Sequence, residues 1–213
     1  MERASRSIAE VVADLASRTP EPSGTWEAER AREDAERLAA ERRAKVMALD
    51  LPVTLADERA LLDGTTEKTR IATAVNAWFA GPDPLLVLSG TPGTGKTMAS
   101  AVLLVEHGGA YVRALELARL YLAQFGEEIE RREALAATYP LLVVDDIGTE
   151  RDAASMTVAL VEVLDARRRG RRNIWCTNLS RAAFEARYPD PRLHSRMAQS
   201  GSWLVEAGED LRR

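Results

Sequence analysis

A chain of 213 residues that is 46% hydrophobic and carries a formal net charge of -4 has enough apolar material for one compact domain plus a modest appendage, which excludes a disordered tail. No apolar run approaches the roughly 18 residues of a bilayer span, and residues 1–10 mix acids and bases without an apolar core, so neither an integral membrane protein nor a secretory signal is expected. A single cysteine, Cys176, with His107 and His194, offers no internal disulfide and little ligand supply for a structural metal; this points to the cytosol, and the mild acidity argues against bulk electrostatic binding of DNA.

Residues 1–50 differ in texture from the rest. Ile8, Val11, Val12 and Leu15 fall on one side of a short amphipathic helix, which Pro20 and Pro22 end. From 27 to 45 six acids interleave with six bases, and Arg30/Asp34, Arg32/Glu36 and Glu33/Arg37 sit four residues apart, the spacing that supports a solvated helix. Its apolar stripe, Ala31, Ala35 and Leu38, is thin. Two readings stay open: a solvent-bathed linker helix, or a docking helix whose narrow seam meets another protein.

From Thr54 the pattern alternates between β and α. Helix is expected over 67–79, strand over 85–89, helix over 96–107, strand over 110–114 and one long helical stretch over 115–137. The apolar run 141–144, bounded by acids, reads as a central parallel strand; helix follows over 153–169, strand over 173–177, helix from about Arg181 and a terminal strand over 203–205. Five short strands alternating with helices predict a three-layer αβα domain with a five-stranded parallel sheet over 51–213, preceded by a helical segment over 1–50.

Gly90-Thr91-Pro92-Gly93-Thr94-Gly95-Lys96-Thr97 fits G-x-x-x-x-G-K-[ST] between a predicted strand and a predicted helix, the context that gives the motif its meaning. Gly90, Gly93 and Gly95 permit main-chain conformations that let successive N–H groups turn around phosphate oxygens. The helix that begins near Lys96 adds the positive end of its dipole, and residues 90–98, through Met98, make up the expected nucleotide cradle. Lys96 is expected to reach the β- and γ-phosphates, and the Thr97 hydroxyl to ligate Mg2+.

The run Leu141-Leu142-Val143-Val144 delivers Asp145 and Asp146 to a strand end. A carboxylate there, on a strand next to the one that enters the phosphate loop, holds the hydration shell of Mg2+; Asp145 suits that role and Asp146 is placed to polarise an attacking water. Asn178, after Cys176-Thr177, suits a γ-phosphate sensor, because its amide both donates and accepts. The alternative is that Asn178-Leu179-Ser180 caps the next helix. Cys176 reads as a small core residue.

These residues resemble the AAA+ ATPases, and within them the DnaC/IstB-like branch of replicative helicase loaders. The resemblance spans about residues 51–206 and rests on the phosphate loop, on Leu141-Leu-Val-Val-Asp-Asp-Ile-Gly148, on Thr177-Asn178 and on Arg192-Leu-His-Ser-Arg196-Met197. It implies that Arg196 is an arginine finger reaching a neighbouring subunit's ATP, with Arg192 the runner-up and a surface ion pair the plain alternative for either. It also implies ATP, Mg2+, ATP-dependent homo-oligomers, a hexameric replicative helicase and single-stranded DNA as partners, and no membrane. An IstB-like transposition ATPase and a weakly hydrolysing, ATP-responsive adaptor are the competing functions. Asp146 stands where many AAA+ proteins have glutamate, and its shorter reach is expected to slow hydrolysis, although aspartate is also familiar in this branch. With seven residues after Glu206 no helical lid is expected, and residues 1–50 lack the cysteines of a zinc-bearing docking domain, so any docking there is expected to be helical. Arg113, Arg119 and the cluster Arg167–Arg172 are candidate phosphate contacts, although a basic cluster at a helix end equally suits the dipole.

Overall fold

The computed structural model of the chain describes residues 25–49, 51, 58–61, 70–123, 125–167 and 170–206. The helix expected over 8–15, Arg168, Arg169 and the segment 207–213 that bears on a lid lie outside the described residues. The chain divides into two compact units, Met1–Glu41 and Arg42–Arg213.

In the first unit the described part belongs to α1 (Thr25–Ala48). Arg32 pairs with Glu36 at 3.0 Å, while Asp34 pairs with Arg37 at 2.9 Å, one helical turn away in the other direction from the expected Arg30. Ala31, Ala35 and Leu38 are all exposed. Such pairs contribute only tenths of a kcal/mol each, roughly 0.2–0.5.

In the second unit the order is α2 (Arg70–Ala80), β1 (Leu85–Gly90), α3 (Lys96–His107), β2 (Ala110–Arg113), α4 (Ala114–Leu122), α5 (Glu127–Ala137), β3 (Leu141–Ile147), α6 (Ala153–Ala166), β4 (Arg172–Thr177), α7 (Arg181–Arg187), α8 (Pro191–Ser200) and β5 (Gly201–Glu206). The strands lie in the order β2-β3-β4-β1-β5 and every pairing is parallel. Strands β2, β3, β4 and β1 carry the site described below, and β5 pairs with β1 beyond them.

Alternation along the strands sets the layers. Leu86, Leu88, Leu141, Val143, Ile174 and Cys176 face α2 and α3, whereas Leu85, Val87, Leu142, Val144 and Trp175 face α4, α5, α6 and the α7–α8 pair. The buried Val46 near the end of α1 joins Leu61 and the Ala101, Val102 and Val105 face of α3.

Three expectations change. The stretch 115–137 is two helices: Ala123 is extended, and Gly126 at φ +88° turns the chain into α5 in a conformation open to glycine. A further helix, α8, starts at Pro191 with the Asp190 carboxylate accepting the Arg192 N–H at 2.7 Å; an acidic cap before a first-turn proline is a recognisable start signal. Finally, β3 is not next to β1, because β4 lies between them.

Candidate nucleotide site

The loop 91–95 leaves the C-terminal end of β1 and feeds α3. Gly93 and Gly95 adopt φ +83° and +85°, left-handed values that let the main chain curl, while Gly90 ends β1 without such a value. Gly95 is the N-cap of α3 and supplies no side-chain cap, so the first-turn N–H groups of the helix keep their capacity for an anion. Thr94 donates its hydroxyl to the Thr91 carbonyl at 3.1 Å, which pins the loop from within. Met98 turns its side chain into the Val46/Leu61 cluster, so its place in the expected cradle reduces to its main chain.

Lys96 is buried, and its ammonium donates to the carbonyls of Gly90 at 2.7 Å and Thr91 at 2.8 Å. A cation held by neutral carbonyls beside uncapped amides is suited to a polyanion. The Thr97 hydroxyl donates to Oδ2 of Asp145 at 2.8 Å, so the loop's hydroxyl and the acid of β3 meet although β4 separates their strands. They meet because Asp145 follows Val143 on the α3 side of the sheet. A hydroxyl and a carboxylate are hard oxygen donors that fit Mg2+. No group of three or more His, Cys, Asp or Glu capable of holding a metal occurs among the described residues, so such an ion would lean on phosphate oxygens and water.

Asp146 sits on a β-bulge. The β3–β4 register advances three residues, Val144 to Ile147, against two, Trp175 to Thr177. This extra residue flips the alternation, so Ile147 joins the opposite core from Asp145. Asp146 itself has φ +58° and is exposed, a conformation aspartate tolerates better than most residues, and bulges recur beside active sites. The bulge thus separates two consecutive carboxylates: Asp145 is buried against Thr97, and Asp146 is exposed.

Asn178 lies just past β4, between the strands of the loop and of the acids, and its side chain is exposed. The α7 cap is Ser180, which accepts the Ala183 N–H at 3.2 Å, so Asn178 is not the capping residue. Its turn is fixed from both sides. Thr177 donates to the Ile147 carbonyl at 2.6 Å, and Ser89 of β1 donates to the Leu179 carbonyl at 2.6 Å. The Gly148 of the Asp-Asp-Ile-Gly run explains itself here: a Cβ at that residue would lie 2.8 Å from Leu179 Cδ1. Cys176 is buried; desolvation, then the charge of Asp145, pushes its thiol well above the ordinary range, as befits an inert core residue.

One supporting group leaves no mark in the sequence. Glu150 is buried and accepts the Gly148 N–H at 2.9 Å, the Arg187 guanidinium at 3.0 and 3.1 Å and the Tyr188 hydroxyl, clamping the loop after Asp146 to the end of α7. Desolvation, then the bond to Glu150, pushes the Tyr188 hydroxyl above its ordinary range and keeps it a donor. Glu150→Gln is expected to lower stability by about 2 kcal/mol, less than a fully buried pair because Arg187 is partly exposed, with urea denaturation as the measurement.

Both finger candidates are engaged. Arg196 donates to Asp165 of α6 at 2.7 Å, and Arg192 pairs with Asp190 at 2.9 Å, so within one chain both finger candidates sit in ion pairs. Of the expected basic cluster, Arg167 is fully buried, and Arg172 lies 5.1 Å from the Phe79 ring centre and 5.4 Å from that of Trp78 while donating to the Trp78 carbonyl at 3.2 Å. These two are structural, not phosphate contacts. Arg113 and Arg119 are exposed.

A phosphate loop, an uncapped helix start and an acid that meets the loop's threonine define a P-loop nucleotide-binding fold. The fold is shared with DnaI, at a TM-score of 0.54 and 17% identity over 67% of this chain and 88% of that one. It is shared equally with the replication initiator DnaA bound to AMPPCP and single-stranded DNA, at 0.53 and 18% identity over 69% of this chain and 49% of that one. The DnaC helicase loader is similar at 24% identity and a TM-score of 0.49, over 74% of this chain and 94% of that chain. No protein-family model and no curated protein matches the sequence.

Proposed function

We propose that the chain is an ATP-dependent helicase loader of the DnaC type, which binds a hexameric replicative DNA helicase and helps place it on single-stranded DNA. The observation that carries the nucleotide part is the Thr97–Asp145 contact at the mouth of the Lys96 loop, since it joins the hydroxyl and the acid a Mg-nucleotide needs. Support for the loader part is the fold it has in common with DnaI and with a DnaA bound to single-stranded DNA, together with the Asp-Asp-Ile-Gly and Arg-x-x-x-Arg-Met elements.

When bound, MgATP supplies the metal charge and the phosphoryl group to be transferred to water. This chain's own residues would then act as follows. The amides of 93–97 wrap the β-phosphate, and the Lys96 ammonium exchanges its two carbonyl partners for phosphate oxygens. Thr97 and Asp145 hold the metal's place. Asp146, exposed on the bulge, accepts a proton from the attacking water, and Asn178 orients that water. Arg196 leaves Asp165 for the neighbouring subunit's γ-phosphate, which makes turnover depend on assembly.

Gel filtration with a candidate hexameric helicase tests the loader reading: a complex that forms with ATP and weakens with ADP is expected, and no complex in either state sinks it. For the shared site, Arg196→Ala is expected to cut turnover at least about a hundredfold while sparing nucleotide binding. Mixing that variant with Asp146→Asn is expected to recover turnover that neither shows alone; no recovery on mixing removes the finger in trans.

A further inference from the structure

Asp145 is held by more than its own strand. Oδ1 accepts the Asp146 N–H at 2.8 Å, and Oδ2 accepts two hydroxyls, Thr97 at 2.8 Å and Tyr111 at 3.0 Å. These donors come from three segments: the bulge, α3 and the neighbouring strand β2. Register explains the third. Tyr111 pairs with Val143 and Arg113 with Asp145, so Tyr111 is the diagonal same-face neighbour of Asp145, a distance that an aromatic side chain spans. Its ring packs on the Leu88/Val143 cluster, which fixes where the hydroxyl points.

We propose that Tyr111 is a positioning residue for the metal-holding carboxylate, its hydroxyl locking Asp145 in the orientation that faces Thr97. The inference rests on reading residues 90–97 with Asp145 as the Mg-nucleotide site. Two opposed effects have to be weighed. A hydrogen bond draws electron density from the carboxylate and weakens it as a ligand, but without that bond the carboxylate keeps one hydroxyl partner and gains rotational freedom. The second effect wins, because groups that orient a metal-binding side chain typically contribute about ten- to a hundredfold in affinity.

The test uses the full chain with Tyr111→Phe, which keeps the ring. Binding of a fluorescent ATP analogue is measured in EDTA and across a Mg2+ titration, and Mn2+ occupancy at saturating analogue is followed by electron paramagnetic resonance. The metal concentration for half-saturation is expected to rise about tenfold in both titrations, with affinity in EDTA within about twofold of the parent. An unchanged metal midpoint overturns the proposal, whether or not the melting temperature falls, since a fall alone means that the hydroxyl only ties β2 to β3. Asp145→Asn separates this from the underlying reading. If that variant also keeps the parent's metal response, the metal site itself is misassigned; if it loses the response while Tyr111→Phe does not, only the role of Tyr111 fails.

Discussion

Replacing Lys96 with alanine is expected to weaken ATP binding by at least about a hundredfold, measured by titration of a fluorescent analogue. The magnitude follows from the contacts at stake. The ammonium is buried and held by the Gly90 and Thr91 carbonyls, at 2.7 and 2.8 Å, so it is already stripped of most water and aimed along the loop. Two bonds from the ammonium to anionic phosphate oxygens would replace two to uncharged carbonyls; hydrogen bonds to charged groups contribute about 1.5–3 kcal/mol each, and every 1.4 kcal/mol is tenfold in affinity. Lys96→Arg is not expected to rescue, since the planar fork demands more room than a buried ammonium leaves. The variant should stay folded, because the core of α3 is made by Ala99, Ala101, Leu103 and Leu104. Affinity within about threefold of the parent would remove the cradle assignment.

What the residues disclose in advance, and what they do not, separates by range of interaction. The loop and α3 are legible because the apolar run Leu85–Leu88, the glycines and Lys96-Thr97 form one contiguous local pattern, and α3 spans Lys96–His107 as the periodicity predicts. Asp145 is legible for the same reason: four buried apolar residues run into an acid. Strand order is not local. That β4 sits between β1 and β3 follows from which crossovers pack, and it puts Asn178 between the loop and the acids without any sign in the sequence. The bulge at Asp146 is equally hidden, since an aspartate in a left-handed conformation reads the same as one in a strand. Two other features do have local signals. The break between α4 and α5 is announced by Gly126, and the start of α8 by Asp190-Pro191. Burial of Arg167 and Glu150 runs against composition, because both residue types are usually exposed, and only the convergence of carbonyls and amides around them explains it.

Arg167 makes the second large expectation: Arg167→Met should cost about 3–5 kcal/mol of folding stability, read from urea denaturation. The guanidinium is fully buried, and its acceptors among the described residues are neutral oxygens. It donates to Asn173 Oδ1 at 2.7 Å, the Leu135 carbonyl at 2.8 Å, the Arg172 carbonyl at 3.0 Å and the Pro140 carbonyl at 3.4 Å. Thus one side chain at the end of α6 joins the last turn of α5 to the first residues of β3 and β4. The negative ends of the α5 and α6 dipoles offset part of the desolvation. That desolvation, with Arg171 nearby adding repulsion, pulls the guanidinium down to about 10, so it is still charged at neutral pH. Methionine fills much of the volume but leaves the Leu135 and Arg172 carbonyls without this donor, at about 1–3 kcal/mol each. Lysine is expected to rescue little, since one ammonium cannot spread to oxygens on three segments as a planar fork does. Location supplies the control. These contacts gather where β3 and β4 begin, the opposite end of the strands from Asp145 and Asn178, so the folded variant should bind the ATP analogue with the parent's affinity. A loss below about 1 kcal/mol would mean that the guanidinium reaches water, and a loss of affinity without one of stability would return Arg167 to the list of phosphate contacts.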